Sequence, residues 1–476
     1  MIDKDFGCPV AKKCGGCQLT NMSYPQQLSF KQAKVIKLMG RFCHVDEIIG
    51  MDNPYHYRNK VQAAFGVTRG GQIISGVYQS GSHRIVKVDD CLIEDKTADE
   101  IIVFIRSLVK SFKLSVYNEN TGRGFLRHVL VKHAFGTDEV MVVLVTGNEP
   151  FKSKNDFIKT LLKKFPIITT VVQSINDRFT SLVLGNTENV LYGNGYITDD
   201  LLGKKFRISA RSFYQINYVG TQSLYSKALE FADLKGNERV IDAYSGVGTI
   251  GILASDKAGE VISVELNKDA ARDAKKNAAI NGINNISFYC ADAAEFLEGM
   301  ASEGENVDVV IMDPPRAGST PVFLKSIVSA KAKKIVYVSC SPDTLARDVT
   351  YLTRNGYTVK KVQPVDMFPH TTHVETVCIL SKLHSKQHIE IEVKMDEMDL
   401  TAAESKATYS EIKAYVLERF HLNVSNLYIA QVKQKHGIIE RECYNKPKSE
   451  KGKELHCPAD KEAAITEALR HFQMIE

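Results

Sequence analysis

The chain has 476 residues, too many for one hydrophobic core, and is expected to form roughly two to four domains. Its 44% hydrophobic and 25% charged residues are ordinary for a soluble globular protein, and no apolar run approaches the ~18 residues that a membrane span needs. The formal charge is +5 over the whole chain, and the excess sits in the first 383 residues, which hold 47 Lys and Arg against 40 Asp and Glu, or +7. That balance admits a polyanionic partner without requiring one.

The amino terminus, MIDKDFGCPVAKKCGG, lacks the apolar stretch of a secretory signal, so a cytoplasmic protein is expected. Ten cysteines in such a chain speak for metal binding or catalysis and against disulfides. Cys8, Cys14 and Cys17 give C-x5-C-x2-C, and Gly15-Gly16 let the backbone bend so that several thiolates can face one centre. A fourth thiolate must come from elsewhere. Cys91, at the end of the strand-like run IVKVDDC, is the first candidate and Cys43 the second. An all-thiolate set admits zinc or an iron–sulfur cluster.

Pro25–Arg41 places Leu28, Val35, Ile36 and Met39 at helical spacing. From Tyr55 to about Gly195 the runs VQAAFGV, QIISGVYQ, HRIVKV, RHVLVKHA, VMVVLVT and TSLVLG predict strands. Helices near Ala98–Phe112 and Lys154–Lys164 interrupt them. YHYRNKVQ and RGFLRHVLVKH interleave Arg58, Lys60, Arg123, Arg127 and Lys132 with Tyr55, Tyr57 and Phe125. Such a pattern suits a nucleic acid gripped by its backbone and stacked on aromatics, and equally suits a solvated sheet face.

ERVIDAYSGVGTIGILAS followed by GEVISVE reads strand, glycine-rich turn, helix, strand. Gly246, Gly248 and Gly251 let a cofactor approach the turn, and Glu265 can accept hydrogen bonds from ribose hydroxyls. Asp242 lies at the strand end ahead of the glycines, where a dinucleotide would need room for its pyrophosphate. This favours S-adenosylmethionine over a nicotinamide cofactor. ISFYCADAAEF predicts a further strand ending at Asp292, in reach of an adenine edge. VDVVIMDPPRAG and KKIVYVSC are apolar, β-branched runs that present Asp313 and Cys340 at their carboxyl ends, and DMFPHTTHVE ends in Glu375. A thiol and a separate carboxylate suggest covalent catalysis with its own base. The series of βα units with acids at successive strand ends predicts a class I, Rossmann-like methyltransferase sheet rather than a dehydrogenase.

Taken together, DPPRAG, YVSC with PDTLARD behind it, and DMFPHTTHVE resemble the RNA uracil-5-methyltransferase family. Within it, C-x5-C-x2-C with distant Cys91 is similar to the branch that modifies 23S ribosomal RNA and carries a [4Fe-4S] cluster. The resemblance spans residues 8–383. It implies S-adenosylmethionine-dependent methylation of carbon 5 of a uridine in 23S rRNA through a covalent Cys–uracil adduct. It further implies that Cys340 is the nucleophile and Glu375 the proton acceptor. Gln215, Tyr244, Glu265 and Asp313 would contact S-adenosylmethionine, with Asp292 as a further contact. Phe213 would lie near the target base, with Arg58 and Arg127 as candidate RNA contacts, and Cys8, Cys14, Cys17 and Cys91 would hold the cluster. The expected partner is RNA and not a membrane; the oligomeric state is not given by the sequence, and a monomer is the expectation. The same reaction on the tRNA T-loop is the alternative substrate. A non-catalytic iron–sulfur RNA-binding protein is the alternative from another class, against which the intact Cys340 and Glu375 speak. The chain departs from the family in three places. It opens almost at the cysteines, where members often carry a small RNA-binding β-barrel first. Ser341 stands where the pattern has Asn after the nucleophile. Residues 384–476 are appended.

The expected layout is an iron–sulfur cysteine segment (1–20), a helix packed on the catalytic domain (21–50), and a β-rich α+β RNA-binding domain (51–200). A methyltransferase domain (201–384) and a mostly helical extension (385–476) follow. In the extension, residues 386–405 read as a linker or strand before an acidic stretch. Thr408–Phe420, LYIAQVKQKHG and ADKEAAITEALRHF predict three helices, compatible with a helix-turn-helix-like module. Residues 433–453 hold seven Lys and Arg against three Glu, so RNA gripping and protein contact both stay open. Cys443 and Cys457, with no nearby pair, are assigned no metal.

Overall fold

The computed structural model describes residues 7–180, 182–383, 409–436, 457–472 and 474–475. Two compact units divide the chain, Met1–Ser385 and Lys386–Glu476. Among the described residues no helix is long and apolar enough to cross a membrane.

The larger unit holds two seven-stranded sheets. The carboxyl-terminal one runs Ile286–Tyr289, Glu260–Val264, Arg239–Ala243, Val309–Met312, Lys334–Ser339, Glu375–Lys382, Tyr357–Val365 in spatial order. The first five strands are parallel, and Glu375–Lys382 is antiparallel to both its neighbours. Val309–Met312 is buried throughout, which explains its unbroken apolar sequence. Helices cover both faces: Ala293–Ser302, Pro321–Ser329 and Pro342–Arg354 on one, Tyr218–Ala232 and Thr249–Ala254 on the other. This order, with its antiparallel excursion at one edge, is the class I methyltransferase sheet expected from the sequence. The helix Tyr24–Met39 buries Val35 and Met39 in the same core. Its Lys31 Nζ reaches Asp366 Oδ1 at 2.6 Å and the Phe368 carbonyl at 2.9 Å, fastening the loop that leads to Glu375.

The second sheet runs Ile85–Lys87, Ile73–Tyr78, Lys60–Val67, Leu126–Ala134, Glu139–Thr146, Ile168–Ile175, Thr187–Tyr192. Lys96–Ser111 and Lys154–Lys164 pack on one face. The first of these helices is capped by Asp95, whose side chain accepts from the Ala98 amide. The other face rests on the hairpin Tyr196–Leu201/Lys204–Ser209. The boundary expected at residue 200 falls inside this hairpin. Ile197 and Ile208 join the core of the central sheet, whereas Leu201 and Phe206, nearer the turn, join that of the catalytic sheet.

Two sequence expectations are corrected. TSLVLG is not a strand: its described residues form a loop, because the buried Asn176 side chain donates to the Leu182 and Val183 carbonyls and replaces a ladder partner. The strand expected to reach Asp292 stops at Tyr289. Asp292 instead caps Ala293–Ser302, accepting from the Ala294 and Glu295 amides at 2.8 and 3.2 Å.

The smaller unit packs Tyr409–Phe420, Asn426–Lys435 and Ala459–His471 around Ile412, Val416, Ile429, Val432, Ile465 and Leu469. The linker expected at 386–405, Cys443 and most of the basic run 433–453 lie outside the described residues.

Candidate active site

An open cleft of about 1280 Å³ lies at the carboxyl edge of the parallel strands, where the strand order reverses on either side of Arg239–Ala243. Three chain segments bring reactive groups there. Asp313 follows its strand directly, on the Pro314-Pro315 turn. Cys340 follows Lys334–Ser339 and precedes the 13-residue helix Pro342–Arg354. Its tight turn is held by Ser339, whose Oγ donates to the Ser341 carbonyl at 3.0 Å and accepts from the Ser341 amide at 3.2 Å. Glu375 arrives from the opposite direction. Because its strand is antiparallel, its first residue lies at the ligand edge. The register sets Thr376 opposite Ser339, so Cys340 and Glu375 leave the ladder side by side.

The charges at this edge act on one another. Burial, and then the charge of Asp313, push Glu375 up to about 8, while Arg316 opposes the shift. The Cys340 thiol is pushed up to about 11 by burial and by Glu375 and Asp313, again against Arg316. Burial raises Asp313 to about 7. A raised carboxyl is protonated below its pKa, and a raised thiol is less ionised at every pH below it. Should Cys340 attack as thiolate, the rate of methyl transfer will therefore climb as pH rises toward about 11. A pH–rate profile of single-turnover methylation checks this, and a flat profile across neutral pH would contradict that role.

The glycine turn forms the other wall. Asp242, buried and raised to about 7, accepts from the Gly251 amide at 2.9 Å and from Ser263 Oγ at 3.2 Å, which fixes the turn. Tyr244 follows in the left-handed region at φ 62°, a conformation costly for a residue with a Cβ, and it faces the cleft. Glu265 accepts from the Gly246 and Asn267 amides at 2.8 and 2.7 Å, so its carboxylate is oriented toward the turn. A Cβ built on Gly246 would meet nothing within 4 Å, leaving the turn open to the cleft. Gln215 lines the cleft and donates to Tyr225 Oη at 3.4 Å.

Phe213 is 67% exposed and lines the cleft mouth. Behind it the buried Lys132, pushed down to about 7, donates to the Ser209 and Ser212 carbonyls at 2.7 and 2.9 Å and holds the turn that carries Phe213.

Thus Cys340, Glu375, Asp313, Gln215, Tyr244, Glu265 and Phe213 share one cleft. Asp292 does not line it; its carboxylate serves as the helix cap, although its charge reaches Tyr244. Arg127 is no RNA contact. It is 4% exposed, and all five of its N–H donors are spent on Glu119 and on the carbonyls of Asn176, Arg178 and Thr180. Arg58 also lies away from the cleft, against Tyr57, where its charge acts on Cys14, Cys17 and Glu94. Ser341 does not line the cleft either, and makes no capping bond through its side chain.

Cys8, Cys14 and Cys17 lie within electrostatic reach of one another, and Glu94 acts on Cys14, Cys17 and Cys91 alike. Burial pushes Cys17 up to about 11 and raises Cys14 and Cys91 as well. Among the described residues no group of three or more His, Cys, Asp or Glu is arranged to hold a metal ion. Cys43 instead packs on the catalytic core beside Cys378.

Sequence reasoning missed Arg316, His373 and Tyr225, all lining the cleft. Arg316 stood inside the quoted DPPR, and its charge reaches Cys340, Glu375 and His373. Tyr225 is four residues after Thr221 on Tyr218–Ala232, so helical spacing puts both on the face toward the cleft.

Comparison with known proteins places the chain in a family. Residues 185–383 match the profile of the tRNA (uracil-5-)-methyltransferase family. An RNA methyltransferase of Halalkalibacterium halodurans, itself uncharacterised, is 43% identical over 378 residues, which is 78% of this chain and 82% of its own length. One of Clostridium acetobutylicum, likewise uncharacterised, is 43% identical over 383 residues, covering 79% and 83%. The solved tRNA (uracil-54, C5)-methyltransferase of Pyrococcus abyssi, in complex with S-adenosyl-L-homocysteine, is 31% identical. Its alignment covers 77% of this chain and 85% of that one, with a TM-score of 0.65. The chain belongs to the RNA uracil-5-methyltransferase family and is an RNA methyltransferase.

Proposed function

We propose that this enzyme methylates carbon 5 of a uridine in 23S rRNA, with S-adenosylmethionine as donor and Cys340 as covalent nucleophile. The observation that carries the reading is the placement of Cys340 beside Glu375 at the strand ends that face the glycine turn. Carbon 5 of uracil is a poor nucleophile. Addition of the Cys340 thiolate to carbon 6 forms a C–S bond and moves the ring π electrons onto the 4-oxygen as an enolate. The enolate then offers carbon 5 for methylation. Glu375 takes the carbon 5 proton; the electron pair of that C–H bond restores the 5,6 double bond and expels Cys340 as thiolate. Arg316, close to both, offsets the negative charge that gathers there. The target base must leave its stack to reach this edge, and Phe213 offers a face to receive it.

The residues fit the donor. The open turn at Gly246 leaves room for a ligand, and Glu265, held at the turn by the Gly246 and Asn267 amides, brings to the cleft a carboxylate able to accept from ribose hydroxyls. Bound there, S-adenosylmethionine supplies an electrophilic methyl group. The solved Pyrococcus relative binds the demethylated product of that compound.

For the substrate, the four-cysteine set supports 23S rRNA through its resemblance to the ribosomal branch. Transfer RNA is the second reading, favoured by the Pyrococcus relative, which acts on uracil 54 of tRNA. Mass-spectrometric mapping of 5-methyluridine in 23S rRNA and tRNA, from cells with and without the gene, separates them. Loss from 23S rRNA alone supports the first, loss from tRNA alone the second, and no loss in either overturns the reaction.

We further propose a [4Fe-4S] cluster on Cys8, Cys14, Cys17 and Cys91. In donor chemistry they fit: all four are half-buried thiols, and Cys14, Cys17 and Cys91, raised by burial and by Glu94, gain from a cationic centre that holds them as thiolates. Protein purified without oxygen is expected to contain iron and acid-labile sulfide and to absorb broadly in the visible. Cys17→Ser should lose most of both. Metal analysis finding zinc without iron in the wild type would overturn the assignment.

A further inference from the structure

Next to the cleft lies a loop built inside out. Its described residues, 176–180 and 182–186, follow the strand Ile168–Ile175 and lead into the edge strand Thr187–Tyr192. Polar side chains hold it from within. Arg127 takes the carbonyls of Asn176, Arg178 and Thr180 at 3.0–3.3 Å, and Asn176, 1% exposed, takes those of Leu182 and Val183 at 2.7 and 3.0 Å. Two of its apolar side chains face outward, Phe179 at 75% exposed and Leu182 at 65%, while Val183 and Leu184 pack on the core of the central sheet; on the edge strand Val190 is 55% exposed. Water-exposed apolar groups on a loop pinned by buried polar ones gain free energy only when something covers them.

The occupant follows from what adjoins the loop. Leu182 and Val190 line the active-site cleft, so the apolar rim continues the surface that carries Phe213. Arginines fringe it. Arg207 stacks on Tyr196 at 3.8 Å, Arg211 pairs with Glu188 at 2.9 Å, and Arg178 donates to Asn186 at 3.0 Å. A row of apolar and aromatic faces beside cations is the chemistry that binds unstacked bases with their phosphates, and it tolerates any base sequence.

We infer that the rim formed by Phe179, Leu182 and Val190 receives the unpaired RNA bases next to the target uridine, with Arg127 positioning the loop from behind. This rests on the proposed reaction, since it takes the nucleotide in the cleft to be part of an RNA strand.

The test uses full-length protein and two fluorescent probes: a short single-stranded oligouridylate, and the same strand with abasic residues flanking its central uridine. Anisotropy at one fixed salt concentration is expected to show the wild type losing about tenfold in affinity on the abasic probe. Phe179→Ala/Leu182→Ala should bind the intact probe about tenfold more weakly, lose little more on the abasic one, and keep the wild-type affinity for S-adenosylhomocysteine. Equal wild-type binding of the two probes overturns the inference with no variant needed. So does a double variant that still distinguishes them as the wild type does, or one whose only change is from dimer to monomer in sedimentation. Failure of the underlying reaction looks different: the wild type would then form no 5-methyluridine, whatever the rim binds.

Discussion

Cys340→Ala is expected to lower methyl transfer by roughly 10⁴-fold or more, the scale on which removal of an enzymatic nucleophile acts. Without a C–S bond at carbon 6, no electron density builds at carbon 5, and no other cleft side chain can replace the sulfur there. Cys340→Ser should fare little better, because a hydroxyl is a far weaker nucleophile near neutral pH. Binding of S-adenosylhomocysteine should stay nearly intact in both variants. The turn of Asp242, Tyr244 and Gly246 is fixed by its own hydrogen bonds to Gly251, Ser263 and Glu265, and none of these passes through Cys340. Tritium release from carbon 5-labelled uridine in RNA measures the chemistry, and calorimetry measures binding. Alanine activity within tenfold of the wild type would remove the covalent mechanism.

Glu375→Gln should do something else: stop turnover after methylation and leave RNA attached to the protein. The amide keeps the shape of a residue only 4% exposed but cannot take a proton from carbon 5. The methylated ring then cannot restore its double bond, and Cys340 stays bonded. Addition itself should not suffer, because the charge of Glu375 is one of the causes that raise the Cys340 pKa and the substitution removes it. Loss of turnover by roughly 10²–10⁴-fold, the usual weight of a general base, should accompany a slow-migrating protein–RNA species on denaturing gels. Normal turnover in this variant, or loss of turnover with no such species, would assign the proton to another group.

The sequence discloses the catalytic half well because its chemistry is written at strand ends. An apolar run that stops at Asp313, another that stops at Cys340, and an acid after HV are positional signals that survive without any knowledge of packing. Hydrogen bonds between distant segments leave no such trace. Arg127 and Arg58 sit among aromatics in the sequence and look like RNA contacts, yet one is spent on loop carbonyls and the other faces the cysteines. Alternation cannot reveal this, since it tells which face a residue takes but not what covers that face. TSLVLG misled for a related reason: its apolar residues resemble a strand, and only the Asn176 side chain, reaching in from outside the run, turns it into a loop. Asp292 shows the ambiguity of an acid after a strand, which can serve a ligand or the next helix.

The hairpin Tyr196–Leu201/Lys204–Ser209 has a mechanical consequence. One end of it is built into the central core through Ile197 and Ile208, the other into the catalytic core through Leu201 and Phe206. Both flanks are also sewn down. Glu139 accepts from the Thr198 amide at 2.8 Å, and Asn281 and Asn277 accept from the Lys205 and Arg207 amides at 2.9 and 2.8 Å. A rod embedded in both cores couples them along this connection. The halves that flank the cleft are therefore bound to unfold as one cooperative block, with a shared melting transition. Structures with and without bound RNA are accordingly expected to show the cleft at the same width, with the deformation on the RNA side.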